Sequence, residues 1–363
     1  MSTTHGETVM QKPIGDYARY LKMLLPVDMP ATYPLKAGLE DIADETDIRK
    51  GIVAFRDFLH IFCDRLITDG HTVAVTKKTR NPNDYPFLHY VNHLLIDIGY
   101  QGKLAVDGGS LLLTKIPSFT EAKNKTPAYR QADVLRFLGL CGFNFSGIDL
   151  DVDVVTVSQE WPLSVSYPER PVLAVGLKAL AIAEMELRTE RRYYNDDYLL
   201  RCDWRLIREG EADALAVLED YLHPLPVEIR QFALSLHRRY TDMGMVPAIN
   251  KRDGLHIAYA QIKNSKRVLT QRELYDKRLW EFALSMKHGH CLVVRAKKAD
   301  KYGDMVEGFP PLLRDKIRQG YGCDRKRGER CQGGCQGIRI ALDEGILGIG
   351  REIEAWLDKE VLV

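Results

Sequence analysis

The chain has no run of about eighteen apolar residues, so no membrane-spanning helix is expected. Its opening stretch, MSTTHGETVMQKPIGDY, lacks the apolar core of a secretory leader, and a cytoplasmic protein is expected. The phosphate-cradling GxxxxGK[ST] loop is missing, and no GxGxxG follows a strand-like segment, which argues against the common nucleotide folds. There is no GxSxG elbow, no kinase signature and no HExxH helix. Charge of one sign is also lacking: 51 basic against 50 acidic side chains give no general attraction to nucleic acid or anionic lipid. The seven cysteines are an odd number, and in a chain read as cytoplasmic they are expected as thiols or metal ligands rather than a disulfide frame.

What is present is a chain of 363 residues, too long for one ordinary core. Helical spacing predicts a helix from Ile14 to Leu25, and a longer one opened by Thr46 and stopped by Gly70. Others are expected from Pro86 to Ile98 and from Thr126-Pro127 to Cys141-Gly142, with another from Pro171 to Leu187. Strand patterns fall at 71–75, 103–106, 111–116, 143–148, 153–157 and 163–167. In the second half, two helices carry Leu215, Leu218, Leu222 and then Ile229, Phe232, Ala233, Leu236, Tyr240. A hairpin over 255–262 and 267–269 follows, then a helix from Gln271 to Lys287, an apolar strand from Cys291 to Val294, a helix from Pro310 to Arg318, a strand at 338–342, and a final helix with Ile346, Ile349, Ile353 and Leu357 inward. Mixed rather than alternating elements predict an α+β protein of two domains, each with helices and small antiparallel sheets. The expected boundaries are 1–188, a junction at 189–210, and 211–363. The first domain reads as a pseudo-repeat of helix plus hairpin, 45–116 and 126–187.

The stretch least like ordinary helix or strand is 321–337, which gathers Cys323, Cys331 and Cys335 among glycines and basic residues. Three thiolates can bind zinc if a fourth ligand joins them, and His288, His290 and Cys291 are the candidates. The C-x7-C-x3-C spacing lacks the short bite of paired C-x2-C knuckles, so reduced thiols without metal, or a redox-active site, stand beside structural zinc. Cys63 reads as a core thiol.

Other features have bland readings beside sharp ones. Helix then hairpin is the outline of a winged helix, but 86–98 offers Phe87, His89, Tyr90, Asn92, His93 and Asp97 with no basic residue to meet phosphate. His89 and His93 sit at i,i+4, as metal ligands can. Asp149, Asp151 and Asp153 alternate as a cation loop can, without the rest of such a loop. Tyr193, Tyr194, Tyr198 and Trp204 could stack on a base or sugar, or pack at a domain seam.

Arg295–Tyr302, Tyr321–Lys326 and Cys331–Gly337, together with Thr32–Lys36 and Gly108–Ser110, resemble an uncharacterised family of anaerobic Gram-positive bacteria. The resemblance implies a cytoplasmic bacterial protein with a cysteine-bearing C-terminal module and no assigned activity.

The function expected is non-catalytic: binding a small molecule or protein partner, or regulation, with zinc bracing the cysteine loop. One alternative is an enzyme using Cys323, Cys331 or Cys335 as redox or nucleophilic thiols in an interdomain pocket. The other is nucleic-acid binding through 295–330, where 11 basic residues face 6 acidic ones. Neither nucleic acid nor a membrane is the expected partner.

Overall fold

Proline and glycine punctuate the helices of the first half, and most helices begin and end where those residues stand. The structure, a computed structural model, describes residues 9–10, 13–73, 78–79, 85–114, 131–150, 162–190, 199–210, 213–250, 255–262, 269–285, 289–296, 299–320 and 337–362. It divides into two units, Met1–Glu211 and Ala212–Val363. The fold is α+β, and no helix among the described residues is long and apolar enough to cross a membrane.

The first unit runs β1 (Val9–Met10), α1 (Ile14–Leu24), α2 (Glu45–Asp69), β2 (Lys78–Thr79), α3 (Pro86–Gln101), β3 (Lys103–Leu104), β4 (Ser110–Leu113), α4 (Gln131–Leu140), β5 (Asn144–Ser146), β6 (Leu163–Ser166) and α5 (Leu173–Glu190). Its centre is α5, packed on both α2 and α3. The α2–α5 crossing is so close that a Cβ on Gly51 would stand 2.5 Å from the Gly176 nitrogen. Likewise, a Cβ on Gly99 would stand 2.5 Å from the Ala181 Cβ. Glycine is therefore required at these crossings by space, not by backbone angle. Phe55, Phe58, Phe62, Phe87, Phe137 and Phe143 fill the core around them. Each such ring contributes roughly 2–3 kcal/mol on burial.

Two successions of helix, strand and strand, α3-β3-β4 and α4-β5-β6, join in one antiparallel sheet of order β3-β4-β6-β5. Leu111, Leu113, Phe145, Leu163 and Val165 face inward, and the serines between them do not. Segment 199–210, expected as a junction, belongs to this unit and buries Leu199, Leu200, Cys202, Trp204, Leu206 and Ile207.

The second unit runs α6 (Ala214–Leu222), α7 (Val227–Asp242), β7 (Met245–Asn250), β8 (Leu255–Gln261), α8 (Gln271–Asp276), β9 (Arg278–Ser285), β10 (Gly289–Val294), α9 (Gly303–Glu307), α10 (Pro311–Gly320), β11 (Ile338–Ala341), α11 (Glu344–Leu347) and α12 (Gly350–Leu362). The five strands form an antiparallel sheet of order β11-β10-β9-β8-β7.

Several expectations are corrected. Of the residues read as a helix from Gln271 to Lys287, 286–287 lie outside the described residues and the rest form one short helix and then β9, where Trp280, Phe282 and Leu284 alternate with Glu281 and Ala283. The hairpin pairs β7 with β8 rather than 255–262 with 267–269, of which 267–268 lie outside the described residues. Gly70–Thr72 makes a 3-10 turn where the strand expected over 71–75 would start, and 74–75 lie outside the described residues. Asp44, not Thr46, stands at the start of α2. The last helix is split between α11 and α12 at Gly348.

Candidate functional site

The two faces of the C-terminal sheet differ in size and in charge. Ile257, Tyr259, Trp280, Phe282, Leu292 and Val294 share one face by register, and Tyr221 of α6 and Tyr240 of α7 pack on it. The opposite face carries Ala248, Ala258, Ala260, Ala283, Cys291 and Val293, and among these small residues stand His256, Arg278 and Glu281. A carboxylate at 1% exposure on such a face must be paired, since an isolated buried charge is prohibitively costly.

Three groups do the pairing. Arg295, just past β10, donates from Nη2 to Glu281 Oε1. Arg278 Nε lies 2.9 Å and His256 Nδ1 3.4 Å from Glu281 Oε2. A bulge between Tyr259 and Ala260 sets Arg278 opposite Ala260, on the same face as Glu281. The Arg278 guanidinium then lies 3.7 Å from the Tyr275 ring centroid and donates to the Tyr275 carbonyl at 2.7 Å. Tyr275 is itself placed by α8, which starts with a full capping box between Thr270 and Glu273. Ala296, directly after Arg295, holds φ at 48°, a left-handed conformation that costs a non-glycine residue of order 1 kcal/mol and tends to occur at functional sites.

Burial pushes the Glu281 carboxyl upward, but the neighbouring His256 imidazole and the guanidinium charges of Arg295 and Arg278 outweigh it and bring it down to about 2. Glu281 is thus fixed as an anion and is a weak base at neutral pH. Burial disfavours the charged form of Arg295, and Glu281 opposes that shift. Chemically, the cluster can hold charge in place, and its carboxylate does not exchange protons near neutrality.

Of the six residues expected to bind metal, Cys323, Cys331, Cys335 and His288 lie outside the described residues. His290 and Cys291 are adjacent on β10 and so point to opposite faces. The His290 ring packs on Tyr221, its Nε2 2.8 Å from the Tyr221 carbonyl oxygen, and burial lowers its pKa. Cys291 faces the alanine side with Ala283 and Val293, and burial raises its thiol to about 11. The two therefore cannot serve one ion together. Among the described residues no group of three or more His, Cys, Asp or Glu is arranged to hold a metal.

The described cysteines Cys63, Cys141, Cys202 and Cys291 are all buried free thiols. Burial raises Cys63 and Cys141 to about 12 each, and Cys202 also upward. At neutral pH they are protonated and poor nucleophiles. Helix α3 is no projecting recognition helix: Phe87, Leu88, Val91, Asn92, Leu94, Leu95, Ile96 and Ile98 are buried, with His89 and His93 half-buried. Trp204 has one ring face toward Tyr33 and the other group near it is Arg205, so it does not offer an open platform for a base. Tyr193, Tyr194, Tyr198, Asp151 and Asp153 lie outside the described residues. In the described part of 295–330, Arg295, Arg314 and Arg318 pair with Glu281, Asp315 and Glu307.

Sequence reasoning missed His256, Arg278 and Glu281. The signal was a lone glutamate inside the alternation Leu279-Trp280-Glu281-Phe282-Ala283-Leu284, masked by a helical reading of the same residues. Comparison with known proteins returns no matching family model, no matching curated protein and no matching solved structure.

Proposed function

We propose that the protein is a non-catalytic binding protein whose C-terminal unit takes a small anionic ligand, a carboxylate or phosphate, at the His256–Arg278–Glu281 cluster. The observation that carries this reading is one buried carboxylate facing two guanidiniums and an imidazole on a sheet face of small side chains. Among the described residues Arg278 Nη2 has no partner, which leaves a donor for an incoming oxyanion. The low pKa of Glu281 and the raised thiols favour holding over reacting.

The test is titration of the full chain with succinate and with inorganic phosphate, following hydrogen exchange over 255–285. Slowed exchange that disappears in Arg278→Gln is expected, and exchange unchanged by either anion refutes the reading.

The cysteine loop adds a second proposal: a structural zinc held by Cys323, Cys331 and Cys335, with Cys291 rather than His290 as fourth ligand. The commitment of His290 Nε2 to the Tyr221 carbonyl supports that choice. Protein purified without an affinity-tag metal should contain about one zinc, falling in Cys291→Ser. Absence of zinc from the wild type defeats it.

A further inference from the structure

The two edges of the C-terminal sheet are not equivalent. The Leu342 N–H donates to the His290 carbonyl at 2.9 Å, which makes 290 and 342 a hydrogen-bonded pair of the antiparallel ladder between β10 and β11. Bonded and non-bonded pairs alternate along such a ladder. Ile338 and Ile340 therefore bond to β10 as well, while the N–H and C=O groups of Arg339 and Ala341 point out from the sheet edge. On the other side, Arg295 donates to the Leu279 carbonyl at 2.8 Å. The same alternation, carried from that pair across β9 and β8, turns 245, 247 and 249 of β7 outward. Pro247 thus stands at an outward position, where it withholds a donor as prolines on edge strands do. Strand β11 carries no such block.

Among the described residues nothing bonds the outward main-chain groups of Arg339 and Ala341. Helix α10 packs near β11, yet both residues stay half-buried rather than covered. The extended backbone continues to Asp343, at φ −125° and ψ −177°, before α11 begins. By alternation the side chains of Arg339, Ala341 and Asp343 lie on one face of the strand. Arg339 has no ion pair with a described acid. Asp343 is exposed, and its Oδ1 accepts from the Gly345 N–H at 3.0 Å, which leaves the other oxygen available. An open edge of this kind is a template for another strand, and sheets that do not use it block it.

We propose that β11 is a dimerisation edge: it takes the β11 of a second copy of this chain, antiparallel, about a two-fold axis at Ala341. The charges select that axis. An axis at Arg339 sets arginine against arginine, and one at Ile340 sets Arg339 against an alanine. The axis at Ala341 sets Arg339 of each copy directly opposite the partner's Asp343, and opposite charges facing each other across an antiparallel pair are favourable. The result is one continuous sheet through both copies, with an arginine–aspartate pair on either side of Ala341. A contact of this symmetry closes on itself, so it gives a dimer and not a fibre. It involves neither the anion cluster nor the cysteine loop and stands independently of both proposals made for them.

The experiment is sedimentation velocity of the full chain over a range of concentrations. The wild type should pass from monomer to dimer as concentration rises. Arg339→Asp and Asp343→Arg each place like charges opposite one another on both sides of the axis, and each should weaken dimerisation about tenfold or more. An equimolar mixture of these two variants puts opposite charges back at both places and should dimerise as the wild type does. Because Asp343 also caps α11, Asp343→Asn serves as a milder variant: it keeps the capping oxygen, removes the charge, and should weaken the dimer severalfold. A wild type that stays monomeric at every concentration overturns the proposal. So does a dimer undiminished in any of the three variants, or a mixture that remains monomeric.

Discussion

The N-terminal unit is built around helices whose backbones touch, while the C-terminal unit is built around a sheet that buries charge. At the α2–α5 crossing, Gly51 and Gly176 bring main chain against main chain, and the core around them is mostly apolar, with Asn92 and Glu184 as its fully buried polar side chains among the described residues. In the C-terminal unit, Glu281, Arg295, His237 and His290 are all buried and all hydrogen-bonded. The difference teaches that close backbone contact limits the first unit's helix crossing, while charge pairing limits the second unit's sheet. A substitution that adds one methyl should injure the first, and one that removes a charge should injure the second.

The largest effect is expected from Glu281→Ala, which leaves Arg278 and Arg295 without their shared carboxylate. Breaking a buried ion pair from one side costs about 3–5 kcal/mol. Hydrogen exchange should rise over β8, β9 and β10 and stay unchanged over α2, α3 and α5. Equal acceleration in both units would break the contrast.

Next in size is Gly176→Ala, whose methyl would collide with the Gly51 backbone. Because the obstacle is backbone, it cannot turn aside, and overpacking of this kind costs roughly 3 kcal/mol. Urea denaturation read by exchange over 45–69 and 173–190 checks it, and a loss below about 1 kcal/mol would show a looser crossing than described.

The dependence on pH should also separate the units. His237 Nδ1 lies 2.7 Å from the Tyr259 hydroxyl, and burial lowers the pKa of His237, with Asp213, Glu219 and Asp242 opposing and Arg238 assisting. His290 is lowered by burial too. Both folded-state values lie below the unfolded value of about 6.5, so the unfolded chain takes up protons first as pH falls. Stability is complete above that value and is lost below it, by at most about 1.4 kcal/mol per pH unit per histidine. In the N-terminal unit His60 is the lowered histidine, by burial and then by Lys22 and Arg56, and it is only half-buried. Unfolding monitored unit by unit between pH 7.5 and about 5 should therefore show the steeper slope in the C-terminal unit. Parallel slopes would erase the distinction.

The smallest effect concerns how the candidate site is held. Thr270→Ala removes the capping box of α8 and should cost about 1 kcal/mol. Since α8 places Tyr275 under Arg278, the same change should weaken succinate binding while leaving exchange in the first unit untouched. Unaltered binding would mean that Tyr275 is positioned by other contacts.

Much of the helical framework was legible in residues alone. Ile14 to Leu24, Pro86 at the head of α3, and Ile229 to Tyr240 kept the expected periods because apolar spacing and flanking proline or glycine act locally. The candidate site was not legible. The stretch 271–285 satisfies a helical period through Tyr275, Leu279 and Phe282 and a strand period through Trp280, Phe282 and Leu284, and only pairing with β8 and β10 selects the second.

The order of residues by itself determined an α+β protein with apolar helices in its first half, since those signals depend on neighbours three or four positions away. Tertiary structure alone decided that a glutamate, two arginines and a histidine from three separate stretches would meet on one face of a sheet. Strand pairing is a long-range choice, and a buried charge is tolerable only after partners distant in sequence have been brought to it.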